Sequence, residues 1–361
     1  MAKLPETTTT SATVQAIFAA YKAQGQNEKP RQYLGASAVG RECARALWYS
    51  FRSCTAESFE GRMIRLFETG HREEGRIVAN LRAIGCEVHD VDEAGEQFAV
   101  TALAGHFKGH SDGVALGIPE APKTWHLCEF KTHNAKSFAA LVSKGVKAHK
   151  PEHFAQMQVY MRLMSLTRAI YIAVNKDTDE LYSERTDHDE IESAKLMAKA
   201  ERIIKAPEPP ERINTDPESW ACKFCASKQL CHNHDPSAPA VQSAVNCRNC
   251  IHATPEFDGD ARWSCDRHKK TLSQADQIKA CPDHVFIPAL LTFAKPVDGG
   301  DDQAIGVWIE YERADGHKFR VSRSPNDYTS AELTELPAAL VGNGTVDEVK
   351  TVFGAIVEEV R

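Results

Sequence analysis

The 361-residue chain has no run of about 18 uncharged apolar residues, so it offers no helix long enough to cross a bilayer. Its first twenty residues, MAKLPETTTTSATVQAIFAA, lack the basic start and apolar centre of a secretory leader. The expectation is a cytoplasmic chain, kept where disulfides are disfavoured. No long repeat occurs, and no low-complexity tract beyond the threonine-rich start. A Walker-type Gly-x-x-x-x-Gly-Lys is also missing, so any ATP-driven motor is expected to be another chain. The net charge of −7 argues mildly against a generic nucleic-acid coat. At 42% hydrophobic and 26% charged residues, the composition is that of an ordinary soluble protein with two or three domains.

Cysteine, by contrast, is plentiful. Of eleven cysteines, eight fall into compact sets or are plausible partners of such sets, which in a reducing compartment reads as metal binding. Cys54, Cys86 and Cys128 are left over and read as small buried hydrophobes. Basic charge is also locally concentrated. Lys123, Lys131, Lys136, Lys144, Lys147 and Lys150 face Glu129 alone between residues 121 and 150. Such a stretch suits a phosphate-rich partner, although a solvated lysine face explains it equally when taken alone.

Residues 11 to 24 read as a helix, and Ser37 is a possible cap for a second helix carrying Cys43 and Trp48. FEGRMIRLFETGHREEGRIVANLRAIG reads as a long amphipathic helix with the stripe Met63, Phe67, Gly70, Glu74, Ile77, Leu81 and Ile84. Glu74 thus falls on the face expected to be buried, where a carboxylate needs a cation or a full set of donors. CEVHDVD, EQFAVTALAG, FKGHSDGVALG and KTWHLCEFKTH come next as strands, the last two joined into a hairpin through IPEAPK. PEHFAQMQVYMRLMSLT is a helix with Phe154, Met157, Met161 and Met164 at core spacing, and Gln156 and Tyr160 on its other side. RAIYIAVNK and ELYSERTD are strands, and DEIESAKLMAKAERIIKA is a helix. The expected fold class is therefore α/β, a mixed central sheet flanked by helices. Residues 1–235 form its core, CHNHDPSAPAVQSAV looks like a linker, and 246–285 form a four-cysteine module. Residues 286–361 form a small α+β region, with a hairpin turning at Ala314–His317 and a terminal helix at TVDEVKTVFGAIVEEV.

Two Glu-x-Lys tripeptides occur, at Glu129/Lys131 and at Glu348/Lys350. The second lies in the terminal helix, where residues two apart point to roughly opposite sides. The first lies in a strand, whose period of two puts Glu129 and Lys131 on one face. Asp112, on the strand before it, could stand beside Glu129, and Glu74 is the natural further carboxylate. Converging carboxylates repel unless a divalent cation neutralises them, and hard oxygen donors favour magnesium or manganese. Lys131 cannot be a ligand while protonated, but it can hold an attacking water and stabilise charge on a phosphoryl oxygen. The plainer alternative is an ion-paired strand with Asp112 in a turn.

GHSDGVA, LCEFK and QMQVY, in that order, resemble the three successive motifs of the PD-(D/E)XK nucleases of the RecB-like exonuclease branch. GHREE at 70–74 resembles the upstream motif that supplies a further ligand, with glutamate there as in phage recombination exonucleases and His71 a weaker candidate. The resemblance spans about residues 34–232. It implies a restriction-endonuclease-like core that hydrolyses DNA phosphodiesters by metal-activated water. Asp112, Glu129, Glu74 and the Phe130 carbonyl would bind Mg²⁺ or Mn²⁺, Lys131 would position the nucleophile, and Gln156 and Tyr160 would contact DNA or brace the site. The role it implies is end processing in recombination, repair or viral replication, with DNA and possible helicase or recombinase chains as partners. A site-selective endonuclease or a non-catalytic DNA-binding scaffold are the alternatives.

CKFCASKQLC supplies three thiolates, Cys222, Cys225 and Cys231, whereas an iron–sulfur cluster normally takes four. AddB-like and CRISPR-associated relatives take the fourth from an N-terminal C-x-R-x-x-W-Y segment, which CARALWYS resembles, so the resemblance implies a 4Fe-4S cluster on Cys43, Cys222, Cys225 and Cys231. A zinc site completed by His232 or His234 is the rival. Cys247, Cys250, Cys265 and Cys281 form a C-x2-C-x14-C-x15-C set, and the spacing suits a closed zinc site. His252, His268 or His284 could replace one ligand, and a second iron–sulfur cluster remains open.

Overall fold

Stretches rich in β-branched and aromatic residues between 87 and 187 build a five-stranded sheet, and the helices around it come from the segments between them. The computed structural model describes residues 11–26, 31–55, 59–232 and 235–360; the threonine-rich start and His234 fall outside them. The elements run α1 (Ala12–Gln26), β1 (Leu34–Gly35), α2 (Ala44–Phe51), α3 (Gly61–Ala83), β2 (Glu87–His89), β3 (Ala99–Ala102), β4 (Phe107–His110), β5 (Val114–Leu116) and β6 (His126–His133). Then come α4 (Ala135–His149), α5 (Pro151–Leu163), β7 (Arg168–Asn175), β8 (Leu181–Asp187) and α6 (Glu190–Lys205).

The main sheet has the order β2-β5-β6-β7-β8. Its β6–β7 pair is parallel, with Glu129 opposite Tyr171 and Lys131 opposite Ala173, and its other pairs are antiparallel. A parallel pair needs a long crossover, and α4 and α5 provide it. The class is thus a mixed α/β sheet with helices on it, as the sequence implies. On one face Cys128, Phe130, Ile170, Ile172 and Val174 pack against Ile77, Val78 and Leu81 of α3. On the other, Leu127, Tyr171 and Ala173 join Phe138, Leu141, Val146, Met157 and Met161 of α4 and α5. The IPEAPK hairpin is present, pairing Val114 with Leu127 and Ala115 with His126.

Several local expectations change. The cap of α2 is Cys43, whose Sγ accepts from the Ala46 N–H, while Ser37 sits in a separate 3-10 turn. The α3 stripe is buried only at its C-terminal half, because the sheet reaches no further; Phe67 and Ile84 are exposed. Helix α4, capped by Asn134, lies where the sequence suggests only a basic stretch. In α5 every residue from Phe154 to Met161 is buried, so Gln156 and Tyr160 have no polar outer face. Asp112 lies in the bend between β4 and β5 rather than within a strand.

After α6 come α7 (Trp220–Lys223) and α8 (Lys228–Cys231), then β9 (Ala253–Pro255), β10 (Trp263–Cys265), β11 (Lys270–Leu272) and α9 (Gln274–Gln277). The C-terminal region is an antiparallel sheet of β12 (Ala294–Asp302), β13 (Gly306–Arg313) and β14 (Lys318–Val321), with α10 (Ser330–Leu333) and α11 (Val346–Val360). The linker-like segment is held on both sides. Val241 N donates to Leu333 O at 2.9 Å, and Ala244 N donates to Cys54 O at 3.2 Å. No helix among the described residues is long and apolar enough to cross a membrane.

Candidate active site

Strand β6 carries Glu129 and Lys131 onto the face covered by α4 and α5, as period two requires. Glu129 is fully buried; its Oε1 faces the Lys131 ammonium, and its Oε2 accepts from Gln156 Nε2 at 2.8 Å. Lys131 Nζ also donates to the Phe130 carbonyl at 2.9 Å and lies 3.6 Å from Asp112 Oδ2. That same Asp112 oxygen accepts from the Phe130 N–H at 2.7 Å. Asp112, Glu129, the Phe130 backbone and Lys131 therefore close one ring across the β5–β6 hairpin.

Burial pushes the Glu129 carboxyl up to about 8, against the pull of Lys131 and with the help of Asp112. Burial works against the Lys131 ammonium too, but the Glu129 and Asp112 carboxylates outweigh it and raise its pKa. Glu74, half-buried on α3, is raised by burial and then by Asp112, which places it within electrostatic reach of the ring. His71 is exposed on the same helix and is the smallest of the influences on Glu74. Tyr160, raised by burial and then by Glu129 and Asp112, stands over β4. A Cβ on Gly109 would come within 2.2 Å of its hydroxyl oxygen, so the glycine of GHSDG is what lets the ring approach.

The donor set is of the hard-oxygen type: carboxylates and one carbonyl gathered round a cation, which here is the ammonium of Lys131. The oxygens of Glu74, Asp112 and Glu129 do not all lie within 4.8 Å of one another. The ammonium between Asp112 and Glu129 is the cation that offsets their repulsion. The second Glu-x-Lys diverges as its helix dictates. Glu348 Oε2 accepts from the Thr345 N–H at 2.8 Å, and Lys350 Nζ lies 2.7 Å from Glu332 Oε1.

Sequence reasoning missed three residues beside this ring. Tyr171, opposite Glu129 on β7, shares its hydroxyl with His133 Nε2 and His153 Nδ1, each at 2.9 Å. His133 Nδ1 reaches Ser137 Oγ at 3.0 Å, which reaches His149 Nε2 at 3.2 Å. Burial, then the Lys150 charge, holds His133 down to about 4; burial, then Lys131, holds His153 down to about 3. His133 was findable, since it shares the Glu129–Lys131 face by period two; Tyr171 and His153 needed the strand register and helix packing.

Each cysteine set lines a cavity of its own. Cys43, Cys222, Cys225 and Cys231 line one small cavity of about 20 Å³, with His232 at its edge. The CARALWYS segment brings Cys43 there by fixed contacts. Arg45 donates to Tyr49 Oη at 2.8 Å and to Pro210 O at 2.8 Å, and Trp48 Nε1 donates to Ala206 O at 2.9 Å. Cys247, Cys250, Cys265 and Cys281 line a second cavity of about 310 Å³, together with His252, His268 and His284. His284 is tied down at Nε2 by Asn246 O and Asn249 Oδ1, both at 3.0 Å. Cys54, Cys86 and Cys128 are buried and belong to neither set.

No protein-family model and no curated protein matches the sequence. Solved structures do match. SSO0001 is 15% identical with a TM-score of 0.38, over 61% of this chain and 96% of that one. LHK-Exo in complex with dAMP is 18% identical with a TM-score of 0.36, over 52% and 90%. The alkaline exonuclease LHK-Exo from Laribacter hongkongensis is 17% identical with a TM-score of 0.33, also over 52% and 90%. Likeness at this level says nothing of activity.

Proposed function

We propose that this chain is a metal-dependent deoxyribonuclease of the PD-(D/E)XK superfamily, an exonuclease of the RecB-like branch that processes DNA ends in recombination, repair or viral replication. The observation that carries the proposal is the meeting of Asp112 and Glu129 on one ammonium, Lys131, with the Phe130 backbone in the same ring. Glu74, Asp112, Glu129 and the Phe130 carbonyl would hold magnesium or manganese, whose chemistry is to acidify a bound water and neutralise phosphoryl charge. Lys131 keeps its proton, so it acts as a donor: it orients the attacking water and stabilises negative charge developing on the phosphate. Gln156 holds Glu129 in one orientation through Oε2, and Tyr160 braces the β4 side of the site. Exposed Lys123, Lys136, Lys144 and Lys147 offer phosphate contacts to the strand. Cys43, Cys222, Cys225 and Cys231 would carry a 4Fe-4S cluster that pins α2 to the end of the nuclease core. Residues 1–235 would then be the catalytic part, with any helicase or recombinase supplied by a separate chain.

The test uses anaerobically purified protein with linear and closed-circular DNA, magnesium or manganese, and an Asp112→Ala variant alongside. Loss of linear DNA alone, absent in the variant, supports the exonuclease. Cutting of closed circles favours an endonuclease on the same core. No metal-dependent difference between wild type and variant leaves a DNA-binding scaffold and ends the nuclease reading.

A further inference from the structure

The second cysteine set is where spacing and geometry part. Spacing alone favours one zinc ion. On such an ion each thiolate stands about 2.3 Å from the metal, so any two sulfurs of a tetrahedral site are about 3.8 Å apart. Among the described residues, no three of the sulfurs of Cys247, Cys250, Cys265 and Cys281 lie within 4.8 Å of one another, although all four line the same cavity of about 310 Å³.

The backbone that carries these cysteines is held by strand pairing and turn contacts. Cys265 sits on the middle strand of its sheet, paired with Ala253 on one side and Lys270 on the other. Cys247 and Cys250 flank a turn closed by Asn246 and Asn249, both buried, and Cys250 O accepts from the Ala253 N–H at 3.2 Å. Cys281 O accepts from the N–H of His284, whose ring is itself anchored. One ion would need these sulfurs to stand closer together than they do. A cluster needs no such collapse, because its thiolates bind different iron corners.

Arg267, Lys270 and Lys279 line the cavity beside Asp276 and Asp283, with Arg267 paired to Asp301 and Lys270 to Asp276. His284 Nδ1 is buried without a hydrogen-bond partner and belongs to the same lining.

We propose that Cys247, Cys250, Cys265 and Cys281 ligate a second iron–sulfur cluster rather than a zinc ion. It stands at the opposite end of α2 from the first cysteine set. Cys43 caps the start of that helix, and Arg52, at its end, donates to Arg248 O between Cys247 and Cys250 at 3.1 Å. Eight residues of helix span only about 12 Å, so one short element ties the two sites together.

The test measures iron, acid-labile sulfide and zinc in the anaerobically purified full-length chain and in its Cys43→Ala, Cys265→Ala and His268→Ala variants. Expected are about eight irons in the wild type, with matching sulfide, falling by about half in either cysteine variant. The Cys43→Ala variant leaves the second set intact, so iron and sulfide retained there support the proposal even where Cys265→Ala fails to fold. If Cys43→Ala loses nothing while Cys265→Ala loses all iron, the first set holds no cluster and the second still does. One zinc per chain that Cys265→Ala or His268→Ala removes overturns the proposal. His268, Cys281 and Asp283 do lie within single-ion reach of one another, so zinc lost in His268→Ala would place the ion on them. Iron-free Cys43→Ala protein overturns it equally.

Discussion

Lys131 shares one ammonium among a glutamate, an aspartate and its own neighbour's carbonyl. Asp112→Asn keeps the shape and removes one anion, so DNA hydrolysis should fall by at least about 100-fold, the scale of losing one electrostatic group in a reaction centre. Lys131→Met should do the same while leaving DNA binding in place, which a gel-shift titration beside the cleavage assay reads. The two cryptic histidines set a pH dependence. Unfolded, each titrates near 6.5; folded, His133 is held to about 4 and His153 to about 3. Between those values the unfolded chain binds protons that the folded chain refuses, so stability is full above pH 6.5 and falls as pH drops through that window. For His133 the loss by pH 4 is on the order of 3 kcal/mol. Urea unfolding at pH 7, 5.5 and 4.5 should show the decline, and a His133→Asn/His153→Gln double variant should flatten it; an equal slope in both proteins would sink the assignment. At this scale the sequence exposes Glu129 and Lys131 because a strand repeats every two residues. It conceals Tyr171, which reaches Glu129 only through the parallel register of β6 and β7.

Among the elements, β4 and α5 meet at a contact that tolerates no side chain. Gly109→Ala would drive a methyl group into the Tyr160 ring and should cost about 1–3 kcal/mol by overpacking. Activity should fall with it, which thermal melting beside the cleavage assay reads. The same helix shows why amphipathic patterns mislead here. Buried on all sides, α5 has no solvent face for Gln156 and Tyr160 to occupy, so both turn inward to the site. Helix α4 escaped notice for the opposite reason: its three buried residues, Phe138, Leu141 and Val146, are diluted by lysines and interrupted by Gly145 at φ +75°. Helix α3 reads correctly in length but not in burial, because a pattern of apolar residues does not say where the sheet beneath it ends.

Across the whole molecule, the parts read from composition as core, linker and cysteine module share one packed seam. Arg248, fully buried, lies over Phe51 at 4.9 Å and over Trp263 at 4.8 Å, while Arg52 donates to Arg248 O and Ala253 O, both at 3.1 Å. Burial lowers Arg248 to about 9 and Arg52 to about 10, so ring faces and carbonyls carry much of what holds these charges inside. Arg248→Ala should cost about 2–4 kcal/mol, as core cavities do. It should also reduce the iron held after anaerobic purification, because the seam joins both cysteine sets; unchanged iron with a lowered melting temperature would show that the sets are independent of it.

The sequence alone determined the features that local periodicity and residue chemistry set: the mixed sheet, the shared face of Glu129 and Lys131, and the β5–β6 hairpin beside them. Tertiary structure decided the features that depend on distance between remote segments. It set the ring that joins Asp112 to Glu129, the inward turn of Tyr160, the histidine pair behind Tyr171 and the separation of the four sulfurs from 247 to 281. Spacing along a chain fixes which ligands can meet, but the pairing of strands fixes how far apart they are held.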